Sequence, residues 1–294
     1  MTRSEILIKT ALVLLVAVLS LISSSATNHA RAGEDPEDLF NYSFAIWLGS
    51  GYYRVGDSDK RFGVLRMPMA FELRPADIEK PALIDRLGYR LLLPAAVGYE
   101  KETDTNFSFG TVAIVPGLEV QIPINNYWTL KPFAQLGAGK DTAGGDLQYI
   151  YGGGVRSLVS FPWKKFVFGI GNSVVLAEDR DSTSKESSGF SLVNAGLDVR
   201  HPTNVTVFNR QLDVGVFFVA NFFQNRVDLL RDDGETDRIN YLYDVGLTFG
   251  FSESLSIWKV GLDRVGIDYR WGDRTSKASD LIWDFLFNLY AECL

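Results

Sequence analysis

Residues 240–251 read NYLYDVGLTFGF, and every second side chain from Tyr241 onward is bulky and apolar. Tyr241, Tyr243, Val245, Leu247, Phe249 and Phe251 share one parity, and Asn240, Leu242, Asp244, Gly246, Thr248 and Gly250 share the other. A period of two belongs to a β-strand with chemically different faces, because successive side chains point to opposite sides of a sheet. The same alternation recurs along most of the chain, and no helical period of any length interrupts it. That repetition limits the fold to an all-β architecture built of antiparallel strands.

The alternation places strands at about 42–53, 62–75, 87–99, 107–123, 127–139, 146–160, 165–177, 188–200, 210–224 and 240–251. An eleventh ends at about 265–271 and a twelfth covers 281–289. In the first, Tyr42, Phe44, Ile46, Leu48 and Tyr52 fall on the apolar side. In the fourth, the apolar parity changes near Gly110, from Phe107 and Phe109 to Val112 and Ile114, which predicts a bulge. The pair Asn125 and Asn126 predicts a tight turn, and FPWK at 161–164 another. The stretch 188–200 is apolar on both parities.

The N-terminus differs in kind. Arg3 and Lys9 precede an apolar run at 11–22, and Ala30-Arg31-Ala32 forms a small-x-small cleavage pattern. This is the layout of a secretory signal peptide over 1–32, followed by a short acidic lead-in at 33–40 (GEDPEDLF) and the β-domain at 41–290. Removing 1–32 takes three of the 29 basic side chains and one of the 36 acidic ones, moving the net charge from −7 to about −9. An acidic exported chain is a poor partner for nucleic acid. Cys293 is the single cysteine, so no intramolecular disulfide can form.

Two architectures use alternating strands. A soluble sandwich packs its apolar faces together; a transmembrane barrel turns them to lipid and lines a lumen with the others. The strands predicted here run to about nine to fifteen residues, against roughly 5–6 in soluble sheets and roughly 9–11 to cross a bilayer. Aromatic residues gather near strand ends, as at Tyr89, Tyr99, Trp128, Tyr149, Phe249, Trp271 and Trp283; rings at both ends of a strand form interfacial girdles. Connections at 125–126, 161–164 and 253–256 are short, whereas 178–187 and 225–237 are long and charged. The turns at 76–85 and 201–209 are longer than the other periplasmic ones. The expectation is an antiparallel transmembrane β-barrel, an up-and-down meander of about twelve strands, monomeric, with both ends of the barrel domain on the periplasmic side. Such a barrel sits in the outer membrane of a Gram-negative bacterium, its partners being the membrane lipid and the barrel-assembly machinery.

Two segments carry a family resemblance. PGLEVQIPINNYWTLKPFAQLGAGKD (116–141) resembles the middle hairpin of the autotransporter β-domain, with its L-x-P-F-A-x-x-G pattern, and VGIDYRWGD (265–273) resembles that domain's penultimate strand. The resemblance spans about 41–290 and implies twelve strands. About eight residues stand where an autotransporter carries its passenger, so the chain is similar to the solitary, passenger-less members of that class, which have no established activity. Their usual terminal aromatic is replaced by AECL after Tyr290.

Residues for chemistry are sparse. His201 is the sole histidine beyond the signal, and it falls in the predicted 201–209 turn, followed by Pro202. GAGKD at 137–141 lacks the spacing of a phosphate loop. GGG at 152–154 suits a strand that needs room inside the barrel, or a bulge. The acid-rich segments have no EF-hand pattern. Neither a catalytic set nor a cofactor or metal site is expected. The remaining signal is a charged and polar lining: Arg66, Glu72, Arg74, Arg90, Glu119, Gln121, Lys131, Gln135, Arg156, Asp244, Asp268, Arg270 and Asp284 all share the inward parity. Turned outward near the bilayer midplane, an Arg or Lys would cost roughly 2–4 kcal/mol. Such a lining either rigidifies a filled lumen or selects solutes in a small channel. The functional expectation is a passenger-less barrel with a structural or surface-interaction role, with a small-solute channel as the alternative and a barrel enzyme less favoured.

Overall fold

The computed structural model describes residues 46–47, 50–54, 61–103, 106–141, 146–183, 187–207, 210–230, 236–257 and 260–272. The chain divides into Met1–Arg31 and Ala32–Leu294, and only the second unit contains described residues. The expected signal segment, the strand 281–289 and Asp284 lie outside them.

The described chain is all-β, one antiparallel sheet of β1 (Gly51–Arg54), β2 (Arg61–Arg74), β3 (Gly88–Thr103), β4 (Asn106–Ile114), β5 (Gly117–Pro123), β6 (Trp128–Asp141), β7 (Leu147–Trp163), β8 (Phe166–Asp181), β9 (Ser187–Val207), β10 (Arg210–Leu230), β11 (Thr236–Ile257) and β12 (Val260–Gly272). From β6 to β12 each strand pairs with its neighbours in sequence, which is a meander. β2 pairs with β1 at Gly51–Arg54, with β3 along most of its length, and with β12 where Val260 stands opposite Phe71.

The alternation read from the sequence is the alternation of burial. On β8, Ser173, Val175, Ala177 and Asp179 are buried while Ile170 and Leu176 are exposed. The side carrying the buried residues is called the inner face below. Its apolar residues form two clusters. One gathers Leu92, Phe133, Val175, Phe190, Leu192, Phe223 and Leu242, drawn from β3, β6, β8, β9, β10 and β11. The other gathers Val64, Ala96, Ala113, Val115 and Ile150 with Ile46. Trp47 packs against both.

Several expectations change. Ile46, expected to point outward from a strand at 42–53, is fully buried inside, and Ile46 and Trp47 are helical. The interior offers room there: a Cβ on Gly152 would come within 2.6 Å of Trp47 Cζ2, so the indole ring lies where a side chain would stand. The GGG segment is thus explained by close packing, and β7 keeps continuous register with both neighbours across it.

The expected strand 107–123 is two pieces, β4 and β5, broken at Val115 and Pro116. Pro116 has no N–H to give a ladder. The link is held where Val115 N donates to Pro94 O at 3.0 Å and Leu136 N donates to Pro116 O at 2.9 Å. The bulge at Gly110 is present: Gly98 pairs with Thr111 but Tyr99 with Phe109. The twelve strands are therefore not the twelve expected, since β4 and β5 lie end to end between β3 and β6.

Of the expected 201–209 turn, residues 201–207 are instead strand. β9 continues to Val207 and β10 begins at Arg210. A register shift between Gln211 and Asp213 sets Asp213 opposite Pro202, and Thr203 Oγ1 donates to Leu212 O at 2.7 Å. His201 is thus a strand residue, its ring 5.0 Å from that of Phe166. The segments 178–187 and 225–237, expected as long loops, are mostly extensions of β8, β9, β10 and β11. The Asn125 turn is as expected, with Asn125 Oδ1 accepting from Tyr127 N at 2.8 Å and Trp128 N at 2.9 Å. The second turn is Lys164 and Lys165, with Phe161 to Trp163 still in β7.

Candidate functional site

The pairing registers carry polar side chains around the inner face in one connected belt. Lys131, Arg156, Ser173, Asn194 and Asn221 stand opposite one another in order across β6, β7, β8, β9 and β10. On one side the belt steps to Glu119, Arg90 and Glu72, which are paired in turn across β5, β3 and β2. On the other it steps to Asp244 and Arg270, paired across β11 and β12. Every strand from β2 to β12, with β4 and β5 sharing one place, contributes a polar group.

Many members are bonded to each other. Arg156 Nη1 donates to Glu119 Oε2 at 2.8 Å, and Arg90 Nη1 donates to Glu119 Oε1 at 3.3 Å. The Glu119 carboxylate is 1% exposed, so it lies between two guanidinium groups and out of water. The Arg156 guanidinium also stacks over the Phe133 ring at 4.0 Å. Ser173 Oγ donates to Asn194 Oδ1 at 2.9 Å, and Asn221 Nδ2 donates to Asp244 Oδ2 at 2.8 Å. Arg270 Nε bonds Asp244 Oδ1, and Arg200 Nε bonds Asp198 Oδ2. A buried ion costs several kcal/mol unless partners replace its water, and these partners supply that replacement.

The expected lining residues divide as follows. Glu72, Arg90, Glu119, Lys131, Arg156, Asp244 and Arg270 form the belt. Asp268 is on the same inner face of β12, buried, with no hydrogen-bond partner on Oδ2. Gln135 is buried and donates to Val115 O at 3.1 Å, bracing the break between β4 and β5. Gln121 stands opposite Gly88. Arg66 is tied at its backbone, where its N–H donates to Ser50 Oγ at 2.8 Å and its carbonyl accepts from that hydroxyl at 3.0 Å. Arg74 does not join them. A register shift after Glu72 sets Arg74 opposite Tyr89, on the outer parity, where its Nη2 donates to Asp85 O at 2.6 Å.

The inward reading omitted Ser173, Asn194, Asp198, Arg200, Asp213 and Asn221. Asp213 was signalled, since it sits between outward Leu212 and Val214. Asp198 and Arg200 lie in the stretch with apolar residues on both parities. It is apolar inside because Phe190 and Leu192 pack in the first cluster.

The outer face is the inverse. Among the described residues, the outward positions from Tyr149 to Phe161 on β7, from Phe166 to Leu176 on β8 and from Tyr241 to Phe249 on β11 carry no charge. Leu118, Leu136 and Val216 are 59%, 65% and 51% exposed. Rings collect in two groups. Tyr241, Tyr243, Tyr269, Trp271, Phe218 and Phe222 form one, with Tyr243 and Trp271 centroids 5.7 Å apart. Phe161, Trp163, Phe166 and Phe168 form the other, with Phe161 stacked on Phe168 at 5.6 Å. Trp128 Nε1 is satisfied by Ser157 Oγ at 2.9 Å.

Among the described residues no group of His, Cys, Asp and Glu is arranged to hold a metal ion. No protein-family model matches the chain, and a search of curated proteins finds none similar to it.

Proposed function

We propose that this chain is an integral outer-membrane β-barrel of autotransporter type without a passenger, exported by a cleaved signal peptide, with a side-chain-filled lumen and a structural or surface-interaction role. One observation carries the reading: polarity is inverted. The buried face holds Arg90, Glu119, Arg156, Asp198 and Asp244, while the exposed face is an uncharged apolar band. Water would favour the reverse, and exposed apolar patches beyond a few hundred Å² mark a partner surface. Lipid is the partner that covers a face on all sides. From Tyr151 to Phe161 the outer face of β7 spans about ten residues, which at roughly 3.3 Å each and a tilt of about 40° is about 25 Å, the height of an outer-membrane apolar band.

The pairing of β2 with both β3 and β12 supports closure, and hydrocarbon penalises an open edge through every unpaired N–H and C=O. The interior supports a filled lumen. Leu92, Val64 and Ile150 are fully buried, and Ile46 and Trp47 occupy the same space.

Refolding of the chain from residue 33 into lipid vesicles, followed by electrophoresis with and without heating, tests the barrel. A heat-modifiable, protease-resistant form is expected, and a chain that stays soluble without detergent would sink the reading. Planar-bilayer recording then tests the lumen. A folded but electrically silent barrel is expected; stable conductance steps that change with Arg90→Ala would assign a charged small-solute channel instead.

A further inference from the structure

Among the described turns, the tip of the β7–β8 hairpin has its own construction. Lys164 has φ 58°, the only positive value at a non-glycine residue among those described. Gly, Asn and Asp fill such turn positions with least strain, and a lysine there is locally unfavourable. Lys165 follows it, and both are exposed with no ion-pair partner among the described residues. Lys164 Nζ lies 5.0 Å over the ring of Trp163. Trp163 is 56% exposed, and Phe166 is exposed beside it. Phe166 touches His201, and Trp163 lies 5.8 Å from Phe168, so the Lys164 ammonium stands on a collar of rings and Lys165 follows it in the turn.

In an antiparallel meander alternate connections share one end, so this tip stands at the end that also carries the β2–β3 connection, where Asp77 pairs with Lys80 and Asp85 with Arg74. Lys164 and Lys165 have no such carboxylate partner among the described residues.

Resting on the membrane reading above, we propose that the Lys164–Lys165 tip with its aromatic collar is a docking surface for the phosphate of an anionic phospholipid. The rings seat at the boundary between acyl chains and headgroups, where Trp is favoured. The ammonium groups then stand at headgroup depth, where a negative surface attracts each of them. Lysine suits this task because its compact charge on a flexible stem follows a phosphate that moves. The turn sets two exposed lysines next to each other in sequence beside the rings.

The chain from residue 33, refolded in detergent, would be mixed with equal amounts of phosphatidylglycerol and phosphatidylcholine of matched acyl chains, and the retained lipid counted by native mass spectrometry. Two attracted lysines lead to an expected preference of about thirtyfold for the anionic lipid. The variant Lys164→Gln with Lys165→Gln should bring this close to parity, as should high salt, and Lys140→Gln at the opposite end of β6 should leave it unchanged. A second variant, Lys164→Gly with Lys165→Gln, relieves the turn strain; it should fold at least as well and still lose the preference. If the wild type folds yet shows no preference, or the folded variants keep it, the docking surface is wrong and the barrel stands. Failure of the wild type to give a heat-modifiable form in either lipid overturns both.

Discussion

The inner and outer faces of β8 are made by the same sixteen residues and obey opposite rules. Ser173, Val175, Ala177 and Asp179 each meet side chains from other strands, and Ser173 is bonded to Asn194. Ile170 and Leu176 are exposed and Val174 half-buried on the opposite side. On the inner face, specificity comes from partners: a charge is tolerated because another charge or amide answers it. On the outer face it comes from the absence of charge along the whole band. A strand of this kind is under two independent constraints, and substitutions separate them.

The largest effect is expected at Arg156→Ala. It leaves Glu119 buried with one partner of two and uncovers the Phe133 ring, and breaking such a buried pair costs about 3–5 kcal/mol. Urea unfolding of the protein in vesicles would measure it; a loss below 1 kcal/mol would mean that the belt is not a structural element. Next is Val174→Arg on the outer face, opposite Val155 near the middle of the apolar band; on the membrane reading it is expected to cost about 2–4 kcal/mol. A neutral or stabilising result would break the comparison outright, because only in water is an exposed arginine harmless. Ser173→Ala deletes one neutral hydrogen bond to Asn194 and should cost about 1 kcal/mol by the same assay. The smallest effect belongs to Ile170→Ala, which exchanges apolar surface for lipid contact and should stay below about 1 kcal/mol. A loss as large as that of a core truncation would show that a protein partner covers this face.

Much of this was legible without the structure. The inward parity of Arg90, Glu119, Arg156, Asp244 and Arg270 follows from counting by twos, and all are on the inner face. The bulge at Gly110 was visible as a change of apolar parity, and the Asn125 turn as an Asn pair. The errors lie where parity breaks down. Ile46 alternates correctly with its neighbours yet is helical and buried, because a short apolar segment carries no sign of which space it will fill. Arg74 obeys the inward parity, but a register shift two residues earlier turns it outward. His201 and Pro202 look like a turn, and are strand because β10 supplies a partner through a second shift.

The belt itself was only half visible. Arg90, Glu119 and Arg156 were each placed inward separately, but nothing in their spacing joins a residue of β3 to one of β5 and one of β7. Ser173, Asn194 and Asn221 were passed over because an uncharged polar residue facing inward is unremarkable until its register partners are known.

The sequence by itself determined that the chain is β, that its strands have one charged and one uncharged face, and, apart from Arg74 and Ile46, the face of the charged and apolar residues named above. Those properties are local, set by a two-residue period of the backbone. The tertiary structure decided which strands pair, at what register, where Pro116 divides one strand in two, and that Ile46 and Trp47 fill the interior over Gly152. Register is a relation between distant segments, and one shifted residue moves a side chain to the other face. Only once registers are set do separate inward charges become a bonded belt.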